Sequence, residues 1–410
     1  MSTLTLPSPA PSPWRKDATV IGLVGLAHAI SHFSQLLLAP LFPWLKDAFA
    51  VSYTELGFLL TIFFVVSCVV QALSGFWVDR YGPRPVLFVG LALLGLAALG
   101  YAASTSYTML AVFSALAGTG NGVFHPVDYT LLNRNVAKTR LAHAYSVHGI
   151  TGSLGWALAP ALLVPLTLAY SWRMALACAA ALAFTVLVVL WFKRDQLSLE
   201  PLPAPPKALA GTEGTLDFLK IPAVWICFGF FFFYAGALSV VQTFAPEAAR
   251  QLHGVPAPLV AICLTSYMVC SAGGMVLGGF LASDPERSER IVGAAFGVAA
   301  ALSLVLGFAD LAALAVPVLF GAMGFATGIA GPSRDLLVKR ATPDNATGRV
   351  YGIVYAGLDI GQAVVPLAIG GLMDRQAHSG VWMALAALQG VLIVSAFSVR
   401  KARRTTVQAA

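Results

Sequence analysis

The sequence predicts an all-α membrane protein: twelve transmembrane helices in two pseudo-symmetric six-helix bundles, with both termini cytoplasmic. Three observations carry that expectation. Of the 410 residues, 58% are hydrophobic and only 10% are charged, a balance that no soluble domain needs. Apolar runs of about 20 residues, each long enough to cross roughly 30 Å of hydrocarbon as a helix, recur twelve times along the chain. The first half of the chain also returns, weakly but in register, in the second.

The runs fall at about 18–42, 55–78, 85–103, 108–132, 141–165, 172–193, 222–245, 258–282, 291–309, 312–337, 348–372 and 380–399. Lipid offers the backbone no hydrogen bonds, so only helices or closed barrels span it, and these lengths exclude strands. Residues 1–17 form a Ser- and Pro-rich N-terminal tail. The apolar run after them is too long for a signal-peptide core and is kept as a span. Residues 18–193 make the first bundle, 194–221 a Pro-rich linker, 222–399 the second bundle and 400–410 a basic tail.

Basic residues orient the chain. Arg15, Lys16, Arg80, Arg84, Arg134, Lys138, Arg140, Lys193, Arg194, Lys339, Arg340 and Arg400 fall on one side, against Lys46, Arg173, Arg250 and Arg375 on the other. The first set marks the cytoplasm, and the protein is expected in the cell inner membrane as a multi-pass monomer. The net charge of +7 then reports topology and headgroup contact and calls for no nucleic acid. Cys68, Cys178, Cys227, Cys263 and Cys270 lie singly within spans, with neither disulfide nor zinc spacing, and read as packing residues.

An offset of 206 aligns spans four and five with spans ten and eleven without a gap. It places Gly118, Gly122, Pro126, Arg134, Gly155 and Pro160 on Gly324, Gly328, Pro332, Arg340, Gly361 and Pro366. Parallel repeats of this kind are related by an axis along the membrane normal, with a substrate path between them near mid-membrane. The same frame sets Asp128 against Arg334, which suggests a gate pair between the halves; separate snorkelling of the two groups to the interface is the alternative.

Polar residues inside spans mark the path. His28, Ser31, His32 and Gln35 share one face of span one by their three- and four-residue spacing. Span four adds Asn121, His125 and Asp128, span five His148 and span eleven Asp359. Desolvation favours the neutral form of a carboxyl at mid-span, which makes Asp359 a candidate proton carrier alongside Asp128 and His148. Imidazoles can carry protons, bind an anion when charged or ligate a metal when neutral, and the sequence leaves these open. His28 and His32 have metal-compatible i,i+4 spacing, but a site needs a third ligand from another helix, so no metal is assigned. Tyr234 and Gln242 are the polar members of an aromatic seventh span and are taken as cavity-lining residues.

Between spans two and three stands Gly75-Phe-Trp-Val-Asp79-Arg80-Tyr-Gly82-Pro-Arg84, a charged tight turn. It resembles the corresponding loop of major facilitator superfamily transporters, and the resemblance implies a gating role for Asp79, Arg80 and Arg84 beside Asp128 and Arg334. Its counterpart Gly279–Arg287 keeps the glycine and loses the motif order. A narrower resemblance covers about the first 160 residues. His28, Ser52-Tyr53, Gly57, Gln71 and Gly120 with Phe124-His125-Pro126 look like the fosmidomycin-resistance-type branch. There an acid commonly follows the proline directly; here Val127 intervenes, which turns the Asp128 carboxylate by about 100° on a helix. A glycine-rich fifth span, Gly149 to Gly155 ending at Pro160, is similar to the segment associated with proton-coupled exporters, whereas the usual arginine of span four would fall at Ser114.

No nucleotide-binding loop is present, so energy has to come from an ion gradient. The expected activity is proton-coupled secondary active transport, exporting a small anionic or amphiphilic organic molecule by alternating access. Proton-driven import of an organic acid, or carriage of a metal or metal chelate, are the alternatives. An enzyme is not expected, because no nucleophile and base converge at one depth in the spans, and no cofactor is expected either. The partners are the substrate, protons and the lipid bilayer.

Overall fold

The computed structural model describes residues 13–199, 222–281, 288–341 and 347–408, almost wholly as helix. Among these residues, eleven segments are long and apolar enough to cross a membrane. The first half contains α1 (Pro13–Gln35), α2 (Phe42–Phe49), α3 (Tyr53–Tyr81), α4 (Pro83–Ala103), α5 (Tyr107–Asn121), α6 (Phe124–Asn135), α7 (Leu141–Ala169) and α8 (Trp172–Phe192). The second contains α9 (Pro222–Thr243), α10 (Ala245–His253), α11 (Ala257–Leu281), α12 (Ser288–Phe308), α13 (Ala315–Ala341), α14 (Thr347–Asp374) and α15 (His378–Gln408).

Two expected spans are not single helices. The first stops at Gln35 and is followed by a 3-10 turn at Ala39–Leu41 and by α2. Pro40 and Pro43 start each new piece, where a missing N–H is tolerated, but neither can prolong the helix before it. The fourth is split into α5 and α6. Pro126 has no N–H for the carbonyl of Gly122 four residues earlier; the Ser74 hydroxyl donates to that oxygen instead, at 3.3 Å. In the second half α13 runs unbroken through Pro332. The chain also stays helical to Gln408, past the expected end of the last span, while most of the expected linker lies outside the described residues.

The internal repeat is visible in the packing. Gly118 and Gly122 press α5 and its end onto the carbonyls of Phe63 and Ser67, where an added Cβ would stand 2.3 and 2.5 Å away. Gly324 and Gly328 press α13 onto Tyr267 and Ser271 in the same way, at 2.1 Å each. The halves are joined by an equally matched pair of bonds: the Thr61 hydroxyl donates to the carbonyl of Ala363, and that of Thr265 to the carbonyl of Ala157. Both acceptors lie three residues before a helix-interior proline, Pro366 or Pro160, next to the carbonyl that the proline leaves without its helical donor.

At the end where α1 finishes, the halves share one apolar core. Leu36, Leu37, Phe42 and Leu45 pack in the same buried cluster as Val240, Val241 and Phe244. Asp374 at the close of α14 accepts hydrogen bonds from the backbone N–H groups of Tyr53 and Thr54, at 2.8 and 3.0 Å, and so caps α3 across the halves. At the opposite end the first half has a separate core of its own, containing Val20, Val24, Leu87, Leu131 and Leu190. Among the described residues, the core shared by the halves therefore seals one end, and the other, the parted end, shows only a core of the first half.

The hairpin residues lie at the parted end. Gly82 turns the chain from α3 to α4 with φ of 81°, a region that favours glycine. Arg84 donates to the carbonyl of Arg194 at 3.5 Å, and Arg80 lies 5.2 Å over the ring of Tyr81. The Asp79 side chain and residues 282–287 of the second-half counterpart lie outside the described residues.

Candidate functional site

Four imidazoles from three helices of the first half meet beneath the parted end. α1 supplies His28 and His32 on one face, one turn apart, with ring centroids 4.2 Å from each other. α7 brings His148 into a stack on His28, at 3.5 Å, and α6 brings His125 to 5.6 Å from it. Their approach depends on Gly152: a Cβ there would stand 2.7 Å from Nδ1 of His32 and 3.0 Å from Nε2 of His28. Gly155 lets α7 come as close again to α1, at the carbonyl of Ala29.

One carboxylate organises this group. Asp128, fully buried, takes Nδ1 of His28 at 3.0 Å and Nε2 of His148 at 3.1 Å on the same oxygen, Oδ2. An ionised carboxylate only accepts, so both nitrogens donate, and a neutral His28 is left with Nε2 free of a proton. The other carboxylate oxygen, Oδ1, and Nδ1 of His32 are buried without a hydrogen-bond partner. Such unmet polar atoms are costly in an apolar interior and commonly mark a place for a ligand.

A second layer braces the first. Ser31 and Gln35 both donate to Oδ1 of Asn121, at 2.8 and 3.2 Å; Asn121 donates to Ser67 at 2.9 Å, and Trp156 donates to Gln35 at 3.0 Å. Trp156 also stacks on His32 at 4.1 Å. This network ties α1, α3, α5 and α7 together and fixes the imidazole face. His125 bonds through Nδ1 to Oε1 of Gln71 at 2.8 Å, and Nε2 of Gln71 donates to Asp359 of α14 at 3.3 Å. That relay is the polar connection from the histidines to the second half.

Of the residues expected to line a site, His28, Ser31, His32, Gln35, Asn121, His125, Asp128 and His148 are brought together, and Asp359 joins them through Gln71. Gln71, Ser67 and Trp156 were missing from that expectation. Ser67 and Gln71 stand four residues apart in an apolar span, the same spacing that singled out His28 and His32, whereas nothing in the sequence points to Trp156. Tyr234 and Gln242 do not join the cluster. Gln242 lies at the sealed end, lining a cavity of about 200 Å³ with Pro40, Pro160, Glu247 and Arg250. Two turns earlier on α9, Tyr234 sits beneath Arg334, whose guanidinium is 4.5 Å from its ring centroid and 5.3 Å from that of Phe231.

The expected Asp128–Arg334 pair is not formed in this structure. Asp128 turns inward to its own half because His28 and His148 offer two buried donors, and Arg334 lies on the α9 aromatics. The two residues nonetheless occupy matched places. Gly155 meets Ala29 where Gly361 meets Phe232, which puts α1 and α9 in a 203-residue offset and sets His28 on Phe231. Acid on imidazole in one half is thus answered by guanidinium on aromatic ring in the other.

These features, two helical halves built on matched packing with a buried polar cluster in the first, are those of a multi-pass membrane protein. The sequence profile of the Major Facilitator Superfamily matches residues 24–366 and 239–409; the chain belongs to that family, whose members are transporters of small molecules and not enzymes. It is 26% identical over 374 residues to the fosmidomycin resistance protein of Escherichia coli (strain K12), covering 86% of this chain and 87% of that one. It is 23% identical to the hexuronate transporter of Bacillus subtilis (strain 168), covering 87% and 88%. Among solved structures, a bacterial homologue of the human lysosomal transporter Spinster, in an inward-facing and occupied conformation, superposes with a TM-score of 0.77 over 97% of this chain and 99% of that one at 14% identity. The nucleoside transporter NupG gives 0.71 over 92% and 99%, at 13% identity.

Proposed function

We propose that the protein is a proton-coupled secondary transporter of the inner membrane, exporting a small anionic organic molecule by alternating access. The observation that carries this reading is the relay His125–Gln71–Asp359. It joins the imidazole face of one half to the one acid held inside α14, so occupancy of the face and protonation of the acid bear on the same gap between the halves. Asp359 is the proton carrier in this reading. The imidazole face receives the anion, and Arg334 offers a positive charge from the opposite half.

α5 and α6 together make one interrupted span, giving twelve, and the basic residues of the tails place the parted end in the cytoplasm. The conformation is then closed outward. Asp79, Arg80, Arg84 and Arg334 gate the inner mouth, with Asp128 as the buried member of the set. Import of an organic acid by proton symport uses the same groups, and the hexuronate transporter among the relatives favours keeping it as the second reading.

Purified protein in proteoliposomes tests the proposal with hexuronate and fosmidomycin as first probes. An imposed pH gradient drives flux of a bound probe, and the sign of the gradient that does so gives the direction. A confirmed flux that ignores both the gradient and a proton ionophore removes the coupling.

A further inference from the structure

Three imidazoles, of His28, His32 and His125, bring one ring nitrogen each into the same small space. Nδ1 of His28 is held by Asp128, which leaves its Nε2 free, and Nδ1 of His125 is held by Gln71. With Asp359 ionised, the amide nitrogen of that glutamine donates to it and Oε1 accepts from His125, which leaves Nε2 of a neutral His125 free as well. Nδ1 of His32 has no partner at all. One ring nitrogen from each of these residues lies within 4.8 Å of the other two. His32 Nδ1 and His28 Nε2 flank the same spot above Gly152.

We infer that His28, His32 and His125 bind a divalent transition-metal ion of the class that prefers imidazole, such as Zn²⁺, Co²⁺ or Ni²⁺. The carboxylate and amide behind His28 and His125 are the outer partners that metal-ligating histidines use to fix ring orientation and tautomer. Three protein ligands leave a coordination position open for an anion or water, which suits a carrier better than a closed structural site. The fit needs little movement. Metal–nitrogen bonds of about 2.0–2.1 Å put tetrahedral ligand nitrogens about 3.3 Å apart, so the widest pair closes by about 1.5 Å, and the glycine at 152 removes the side chain that would block it. The same three nitrogens could hold a bare ion or one already bound by an organic acid; the shared chemistry is the metal.

This inference does not rest on proton coupling, and binding is read on detergent-purified full-length protein without any gradient. Titration with Co²⁺ alone produces the intense visible absorption of a low-coordinate, nitrogen-ligated ion, and Zn²⁺ bleaches it by displacement. His32→Gln and His125→Gln each weaken binding by at least about a hundredfold, and Gln71→Leu, which removes the support of His125 together with the bond to Asp359, by about tenfold. His143→Gln, on an exposed histidine outside the cluster, leaves binding unchanged and controls for adventitious surface ligation. Each variant is first matched to the parent in monodispersity and metal-free thermal unfolding, and His125→Gln, at a half-buried position, carries the test if His32→Gln is unstable. Absence of the Co²⁺ spectrum in the parent, or its survival in His125→Gln, overturns the site. Repeating the titration with citrate present separates the two sources: tighter binding assigns the open position to an organic acid, and weaker apparent binding, from citrate competing for the ion, assigns the site to the bare ion.

Discussion

The two halves are built alike and equipped differently. Glycines at matched positions press α5 onto α3 and α13 onto α11, and one threonine from each half reaches a carbonyl of the other. On that common frame the first half carries four histidines and a buried acid. The second half has Phe231, Tyr234 and Arg334 at the facing positions and sets Asp359 against Gln71 of the first. The difference teaches that the repeat preserves helix approach, which tolerates no added atoms, and leaves the chemistry of the facing surfaces free to diverge.

If the labour is divided in this way, the second half's acid carries the largest effect. Asp359→Asn lowers gradient-driven flux by at least about a hundredfold while leaving probe binding within about threefold, because it removes a titrating group and keeps the hydrogen bond to Gln71. Full driven flux in that variant breaks the division. Next come the scaffold glycines. Gly118→Ala and Gly324→Ala each force a Cβ against a backbone carbonyl and cost about 1–3 kcal/mol in thermal or denaturant unfolding; a loss confined to one of them ends the equivalence of the halves.

A smaller effect is expected from Asp374→Ala, which uncaps α3 at about 1 kcal/mol and raises hydrogen exchange at Tyr53 and Thr54 without touching the histidines. Smallest is the threonine pair. Thr61→Val and Thr265→Val each cost about 0.5–1.5 kcal/mol, and the double variant sums them, since the two bonds share no partner. A strongly unequal pair sharpens the comparison by identifying which joint holds the halves together.

Most of the architecture was legible because it follows from length and hydrophobicity: long apolar runs have few alternatives in lipid. The broken places were less so. Pro126 and Pro332 are the same residue at matched positions, yet only the first lies beside a break in its helix, where the Ser74 hydroxyl reaches the Gly122 carbonyl. The histidine face was legible from the spacing of His28 and His32. What spacing along one helix cannot give is the third ligand: His125 and the tautomer-setting Gln71 come from helices whose relative rotation is fixed only by packing. For the same reason Asp128 could be placed near the gap but not turned inward, and a pair with Arg334 that breaks when the cytoplasmic side opens is not tested by a conformation in which it is apart.

The apolar seal between Leu36–Leu45 and Val240–Ala249 has a thermal consequence. Reopening that end to water wets buried hydrocarbon, which carries a positive heat-capacity change, so the balance between the two facing states is curved in temperature. Hydrophobic closure weakens on cooling. In the proposed orientation, cooling therefore loosens the outward seal before any cargo or proton has bound.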